Sequence, residues 1–247
     1  MYDYGSLKDY YSQEILETFK EARVVLLVPI TRTLPRFWES VVDMVAFSWN
    51  FGLRVEMLIP SLQSVIVDAR TYLNETALNA TSSFDGSKYT HFLSIDDDHT
   101  FAPDLACNLV YKMAMHDAKI MSAVCFKKGA DKMPPIHILS KQDGVTQYKK
   151  IVKFPKTVFK VDTVGFGVIM IKREVYETVS KPWFRISPKI SEDNFFCLKA
   201  KKAGFDIYVD GACTTGHIGE PVIIDESNYE EYLKGNDFDL EAIRIED

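Results

Sequence analysis

Apolar residues in this chain come in short dense runs separated by longer stretches where they recur every three or four positions. The first run, Val24-Val25-Leu26-Leu27-Val28, stops at Pro29. Short, unbroken and β-branched, it predicts a strand buried on both faces. Residues 37–51 place Trp38, Val41, Val42, Val45 and Trp49 at helical spacing, and Gly52 follows as a stop signal. A second strand is expected over 54–59, closing at Pro60, and a helix over 65–78. A loop rich in Ser, Asp and Gly over 81–88 leads into His91-Phe92-Leu93-Ser94-Ile95, a third strand that runs straight into Asp96-Asp97-Asp98.

Pro103 opens a helix through about 114, and 120–126 reads as another strand before a loop with Met133-Pro134-Pro135. Residues 136–160 predict a hairpin or two short strands around Asp143-Gly144, as antiparallel additions to an otherwise parallel sheet. Then come 161–171 with two glycines, a short helix near 173–179, a loop containing Pro182-Trp183-Phe184, and a helix over 191–203 ended by Gly204. A last strand over 206–209 leads to Thr215-Gly216-His217. Beyond Pro221 the chain is rich in Asp and Glu, which predicts a peripheral helix or a partly ordered segment. The alternation predicts a three-layer α/β fold on a mostly parallel sheet, with ligands beyond the carboxyl ends of its strands.

Composition narrows the class. With 247 residues, 47% hydrophobic and 26% charged, the chain suits one folded domain with a sizeable core. A formal net charge of −6 argues weakly against coating nucleic acid, while leaving room for a local basic groove. Cys107, Cys125, Cys197 and Cys213 form no CxxC pair, so buried free thiols are expected. The polar start lacks a leader pattern, and no run of 18 apolar residues exists to span a membrane. The expected location is cytoplasmic, in a bacterial host or a virus-infected cell among others.

Three groups of residues carry chemistry. Side chains alternate along a strand, so Asp96 and Asp98 are expected to share one side, where a hard cation such as Mn²⁺ or Mg²⁺ prefers oxygen ligands. The plainer reading is a solvated acidic turn. Ser191-Glu192-Asp193-Asn194 opens a helix, with Ser191 as N-cap; its acids are either capping chemistry or a general base, Asp193, for an attacking hydroxyl. His217, between Gly216 and Ile218-Gly219, is placed to ligate a metal. The other histidines are read as structural, although His99 adjoins the acids and is near enough to touch a phosphate.

Taken in order, Val-Pro-Ile-Thr at 28–31, Ile-Asp-Asp-Asp at 95–98, Val-Gly-Phe-Gly at 164–167, Pro-Trp-Phe at 182–184, Ser-Glu-Asp at 191–193 and Gly-His at 216–217 resemble GT-A glycosyltransferases. The resemblance is to family-two-like bacterial, phage and viral enzymes and runs from about Arg23 to Gly219. It implies a GT-A (Rossmann-like) three-layer sandwich with a mostly parallel central sheet, as a single domain over 1–221 with an acidic tail over 222–247. By that resemblance Asp96–Asp98 form the DxD motif, with Asp96 or Asp97 near the donor ribose. Asp98, with His217 and Asp96, would hold Mn²⁺ or Mg²⁺. Asp193, with Glu192 beside it, would be the base, and Pro29, Thr31 and Arg32 would lie beside the nucleoside. Arg70 would lie near the pyrophosphate, Gly165 and Gly167 would let the backbone approach the donor sugar, and Trp183 would offer a platform to the acceptor.

The implied reaction moves a sugar from a UDP- or GDP-sugar to a glycan, lipid-linked sugar, protein or modified nucleobase, with inversion. Two rivals remain at this level: a nucleotidyltransferase using the same acidic site, and an inactive nucleotide-sugar-binding module.

Overall fold

The computed structural model describes residues 11–58, 65–128, 132–142, 145–219, 223–235 and 243–244. The predicted turn residues Asp143-Gly144 and the strand end at 59–60 lie outside these. The first half contains α1 (Gln13–Glu21), β1 (Arg23–Leu27), α2 (Pro35–Asn50), β2 (Arg54–Leu58), α3 (Ile66–Asn79), β3 (His91–Ile95), β4 (His99–Thr100), α4 (Leu105–Met115) and β5 (Ile120–Cys125). It is followed by β6 (Ile136–Gln142), β7 (Val145–Lys153), β8 (Val158–Val161), β9 (Thr163–Val164), β10 (Val168–Lys172), α5 (Arg173–Thr178) and α6 (Glu192–Lys202). The last elements are β11 (Ile207–Ile218), β12 (Ile223–Ile224), α7 (Glu226–Gly235) and β13 (Ile243–Arg244).

The main sheet has the order β12-β11-β5-β10-β3-β1-β2, with β4 and β8 both paired to β11. β1 runs parallel to β2 and β3, and β11 parallel to β5. Successive residues of β1 enter opposite cores. Val25 and Leu27 pack with Leu73, Ala77, Phe196 and Ala200 from α3 and α6. Val24 and Leu26 pack with Phe37, Met44, Leu109 and Val110 from α2 and α4. That alternation, with helices on both faces, makes the three layers expected of continuous apolar strands. Gly52 and Gly204, at φ 83° and 94°, end α2 and α6 in the left-handed region that a Cβ disfavours.

The antiparallel members of the main sheet are β10, between β3 and β5, and β4, β8 and β12, each against β11; of the stretch expected to supply them, β8 does so and the hairpin does not. The chain reaches β10 at the rim where β3 ends, with Val168 opposite Ile95, so it must run back along β3. The predicted hairpin forms, as β6 and β7 in register from His137 and Lys150 to Gln142 and Val145, but it belongs to a second sheet of order β13-β7-β6-β9.

Two helices depart from the sequence reading. α1 had no counterpart in it, although Ser12 caps the helix by accepting from the Ile15 N–H and Ile15 and Phe19 are buried one turn apart. Ile15, Leu16 and Phe19 recur at helical spacing behind the Ser12 cap, so the signal for this helix stands in the sequence. α7 is the helix foreseen in the acidic tail, yet its Tyr229 is a core residue, 5.2 Å from the Phe126 ring, with its hydroxyl donating to the Val152 carbonyl. Among the described residues no helix is long and apolar enough to cross a membrane.

Candidate functional site

β3 delivers its acids to the rim of the sheet and then stops. The chain turns after Ile95, and the His99 N–H reaches back to the Asp96 carbonyl at 3.3 Å. Strand alternation therefore no longer governs the three carboxylates, and each goes to a different partner. Asp96 pairs with Arg70 at 2.9 Å. Asp97 turns inward, 4% exposed, and accepts the N–H groups of Thr31 and Arg32 at 2.5 and 2.6 Å, with the Thr31 hydroxyl at 3.0 Å. It clamps the segment that leaves β1 through the buried Pro29. With its oxygens occupied by these protein donors, Asp97 anchors the loop.

Asp98 is the hub. Its Oδ1 lies 3.2 Å from His99 Nδ1 and 3.2 Å from His217 Nε2, and the three residues form a group able to hold a metal ion. β4 pairs with β11, placing His99 opposite His217, and the two rings stack with centroids 4.3 Å apart. The Phe126 carbonyl lies 2.6 Å from His217 Nδ1, so that nitrogen carries the proton. In the neutral ring Nε2 then points a lone pair at a carboxylate oxygen, an arrangement that calls for a cation between them. His99 is 2% exposed and neither of its ring nitrogens makes a well-formed hydrogen bond. A buried polar atom without a partner is costly, so these donors fit a divalent cation. Burial pushes the Asp98 carboxyl up, but His217, His99 and Lys128 outweigh it and hold it well below the usual carboxylate range. Lys128 contacts Oδ2, and Arg32 lies 3.7 Å from the same oxygen.

The second acidic group sits across the 165–167 segment. Ser191 occupies the N-cap position of α6 without capping it; its hydroxyl goes to Asp193 Oδ1, which also accepts the Asn194 N–H at 2.7 Å. Arg70, 4% exposed, lies over the Phe166 ring, bonds Ser94 at 3.1 Å, and comes within 3.6 Å of Glu192. It ties Asp96 to the start of α6 from inside the protein. Burial, and then the Asp193 charge, raise the Glu192 pKa against the pull of Arg70.

The glycines are where the sequence reading put a close approach, but the approaching groups are the protein's own. A Cβ on Gly167 would stand 2.7 Å from His99 Nε2, and one on Gly165 would stand 2.6 Å from Pro135 Cγ and 3.5 Å from Asp193 Oδ2. Trp183 offers no platform. It is 2% exposed, edge-on to Tyr176, with its indole N–H on the Val179 carbonyl at 2.8 Å. Asp162 is likewise structural, held by Lys201 and by the Leu139 N–H at 2.6 Å.

Asp98 and His217 thus come together as expected, while Asp96 points to Arg70 instead of joining them. The sequence reads His99 as structural, as solitary histidines more often are; the turn after Ile95 and the pairing of β4 with β11 set it beside Asp98 and His217. Lys128 gave no signal beyond following an apolar strand.

No family model and no curated protein sequence matches the chain. Solved structures do. A197 from STIV is 14% identical with a TM-score of 0.56, over 91% of this chain and 98% of that one. GalNAc-T7, solved with UDP, GalNAc and Mn²⁺, is 12% identical with a TM-score of 0.52. That match takes in 79% of this chain but only 43% of GalNAc-T7. At such identities the likeness speaks to architecture, and the chain has the mixed α/β fold of GT-A glycosyltransferases.

Proposed function

We propose that this chain is a metal-dependent glycosyltransferase that moves a sugar from a UDP- or GDP-sugar to an acceptor hydroxyl, with inversion. The observation that carries the reading is the meeting of Asp98, His99 and His217 at one rim of a GT-A-like fold, with Asp193 across the 165–167 segment. Asp98, His99 and His217 would hold Mn²⁺ or Mg²⁺, which when bound offsets charge developing on the departing diphosphate. Arg32 and Lys128, both beside Asp98 Oδ2, would meet the phosphates. Asp96, fixed by Arg70, would face the donor ribose.

Asp193 has one oxygen tethered by Ser191 and Asn194, which leaves Oδ2 toward Gly165 to take the acceptor proton. Glu192, with its raised pKa, is the neighbour biased toward the neutral form. The likeness to a structure solved with UDP, GalNAc and Mn²⁺ supports the same reading.

The test is a panel of nucleotide sugars incubated with the protein and Mn²⁺, scoring nucleoside diphosphate with and without chelator. Chelator-sensitive release from one donor is expected. Pyrophosphate release from a nucleoside triphosphate mixed with a sugar 1-phosphate would transfer the site to a nucleotidyltransferase, and donor binding without turnover would leave a binding module.

A further inference from the structure

With Trp183 buried, the surface beside Asp193 has to come from another element, and strand register shows which. β6 pairs with β9, His137 opposite Thr163, and with β7, His137 opposite Lys150 and Leu139 opposite Tyr148. The Gly165 N–H donates to the Pro135 carbonyl at 2.9 Å and so carries the β6–β9 ladder one residue further. Partners across a ladder share a face and side chains alternate along each strand. Pro135, His137, Tyr148, Lys150 and the Cβ position of Gly165 therefore lie on one face. Ile136, Ile151 and Val164 lie on the other, together with Lys149, and those three enter the core. A Cβ on Gly165 would stand 3.5 Å from Asp193 Oδ2, so that oxygen stands over the first face.

The first face presents an aromatic pair. His137 Nδ1 lies 3.1 Å from Oγ1 of Thr163, a wholly buried residue that fixes the imidazole. Burial, and then Lys127, push the His137 pKa down against the pull of Asp193, so the ring is neutral at pH 7. A neutral imidazole can donate to a hydroxyl or accept from one. Its ring meets Tyr148 edge-on, centroids 5.8 Å apart, and Tyr148 is 37% exposed. Burial and then the Cys197 thiol raise the Tyr148 pKa, which puts its hydroxyl on the side of α6, one turn on from Asp193. An exposed aromatic ring against an imidazole offers an apolar surface with polar edges, matching the C–H face and the hydroxyls of a pyranose.

We infer that the acceptor is an oligosaccharide, its terminal unit at Asp193 over Pro135 and Gly165 and its next unit stacked on Tyr148 against His137. The inference rests on the transferase reading above and adds to it the acceptor class and a specificity-determining residue, Tyr148. The spacing favours two units over one. Pro135 and His137 are about 7 Å apart along the chain, and the Tyr148 ring is a further 5.8 Å away, which is more than one pyranose spans. Lys150 and Asp193 give the face charges of both signs, which favours a neutral chain over a phosphodiester.

The test is binding to a printed array of mono- and oligosaccharides, in Mn²⁺ with UDP or GDP. Wild type, Tyr148→Ala, Tyr148→Phe and a control at an exposed tyrosine of α3, Tyr72→Ala, are compared. Wild type is expected to bind an oligosaccharide about tenfold more tightly than its terminal monosaccharide. Tyr148→Ala should lose that advantage, Tyr148→Phe should keep it, and Tyr72→Ala should match wild type. Thermal unfolding of each variant checks the fold, and Tyr148→Gln replaces Tyr148→Ala if the latter unfolds. Wild type that binds no glycan, or binds mono- and oligosaccharides alike, would overturn the inference. So would an equal loss in Tyr72→Ala, or Tyr148-dependent binding of single-stranded DNA in place of glycans. Donor turnover is read separately, so a silent donor panel sinks the transferase reading while glycan binding by this face stands or falls by itself.

Discussion

His99 and His217 lie face to face, 4.3 Å between ring centroids and 19° from parallel, and each turns a nitrogen toward the same oxygen of Asp98. They come from strands more than a hundred positions apart in the chain, joined by the pairing of β4 with β11. Two imidazoles that share one carboxylate oxygen serve a cation better than they serve packing.

Replacing either ring should therefore weaken metal binding. His217→Ala and His99→Gln are each expected to lower Mn²⁺ affinity by about tenfold or more, followed by calorimetry on the folded variants. Unchanged affinity in His99→Gln, alongside loss in His217→Ala, would make His99 part of the wall and not a ligand.

Asp193→Asn keeps the bonds to Asn194 and Ser191 available but removes the proton acceptor. Transfer is expected to fall by about 10² to 10⁴, with donor affinity within about threefold of wild type. Near-normal turnover would move the base elsewhere, with Glu192 the next residue to replace.

Asp97→Ala leaves the Thr31 and Arg32 N–H groups without their acceptor. A loss of about 3 kcal/mol in urea-unfolding free energy is expected, since buried bonds to a charged group carry more than neutral ones. Nucleotide affinity should fall with it, because the clamped loop carries Arg32. A change under about 0.5 kcal/mol would mean that water replaces the clamp.

Stability should also show an acid limb that does not involve the site. His91, wholly enclosed in β3, has its pKa pushed down to about 3 by burial and then by Lys172. Folded, it stays neutral to about pH 3; unfolded, it takes a proton below about 6.5. The unfolded state thus binds more protons between those values, so stability is fully present above pH 6.5 and lost as pH falls toward 3, at up to about 1.4 kcal/mol per unit. His91→Gln should flatten that limb in urea titrations at pH 7, 6, 5 and 4. An unaltered slope would assign it to other groups.

The sequence by itself determined the layers. Val24–Val28 is an uninterrupted apolar run, and His91–Ile95 and Ile120–Cys125 are apolar apart from His91, Ser94 and Ser122; such runs are satisfied by burial on both faces. It also determined that acids would stand at the carboxyl end of β3 and at the start of α6, because these are matters of local order; His217, expected just after a strand over 206–209, instead lies within β11, which runs on to Ile218. The tertiary structure decided what each acid does. Asp96, Asp97 and Asp98 are neighbours with the same chemistry, and their division among Arg70, the Thr31–Arg32 backbone and the two histidines depends on a turn and on partners far away in the chain. It likewise decided that β10 would run against its neighbours, that Trp183 would lie in the core, and that His99 would meet His217. Periodicity reports whether a side chain is buried; which distant group it meets is set by strand order and register, and those are fixed only when the whole sheet assembles.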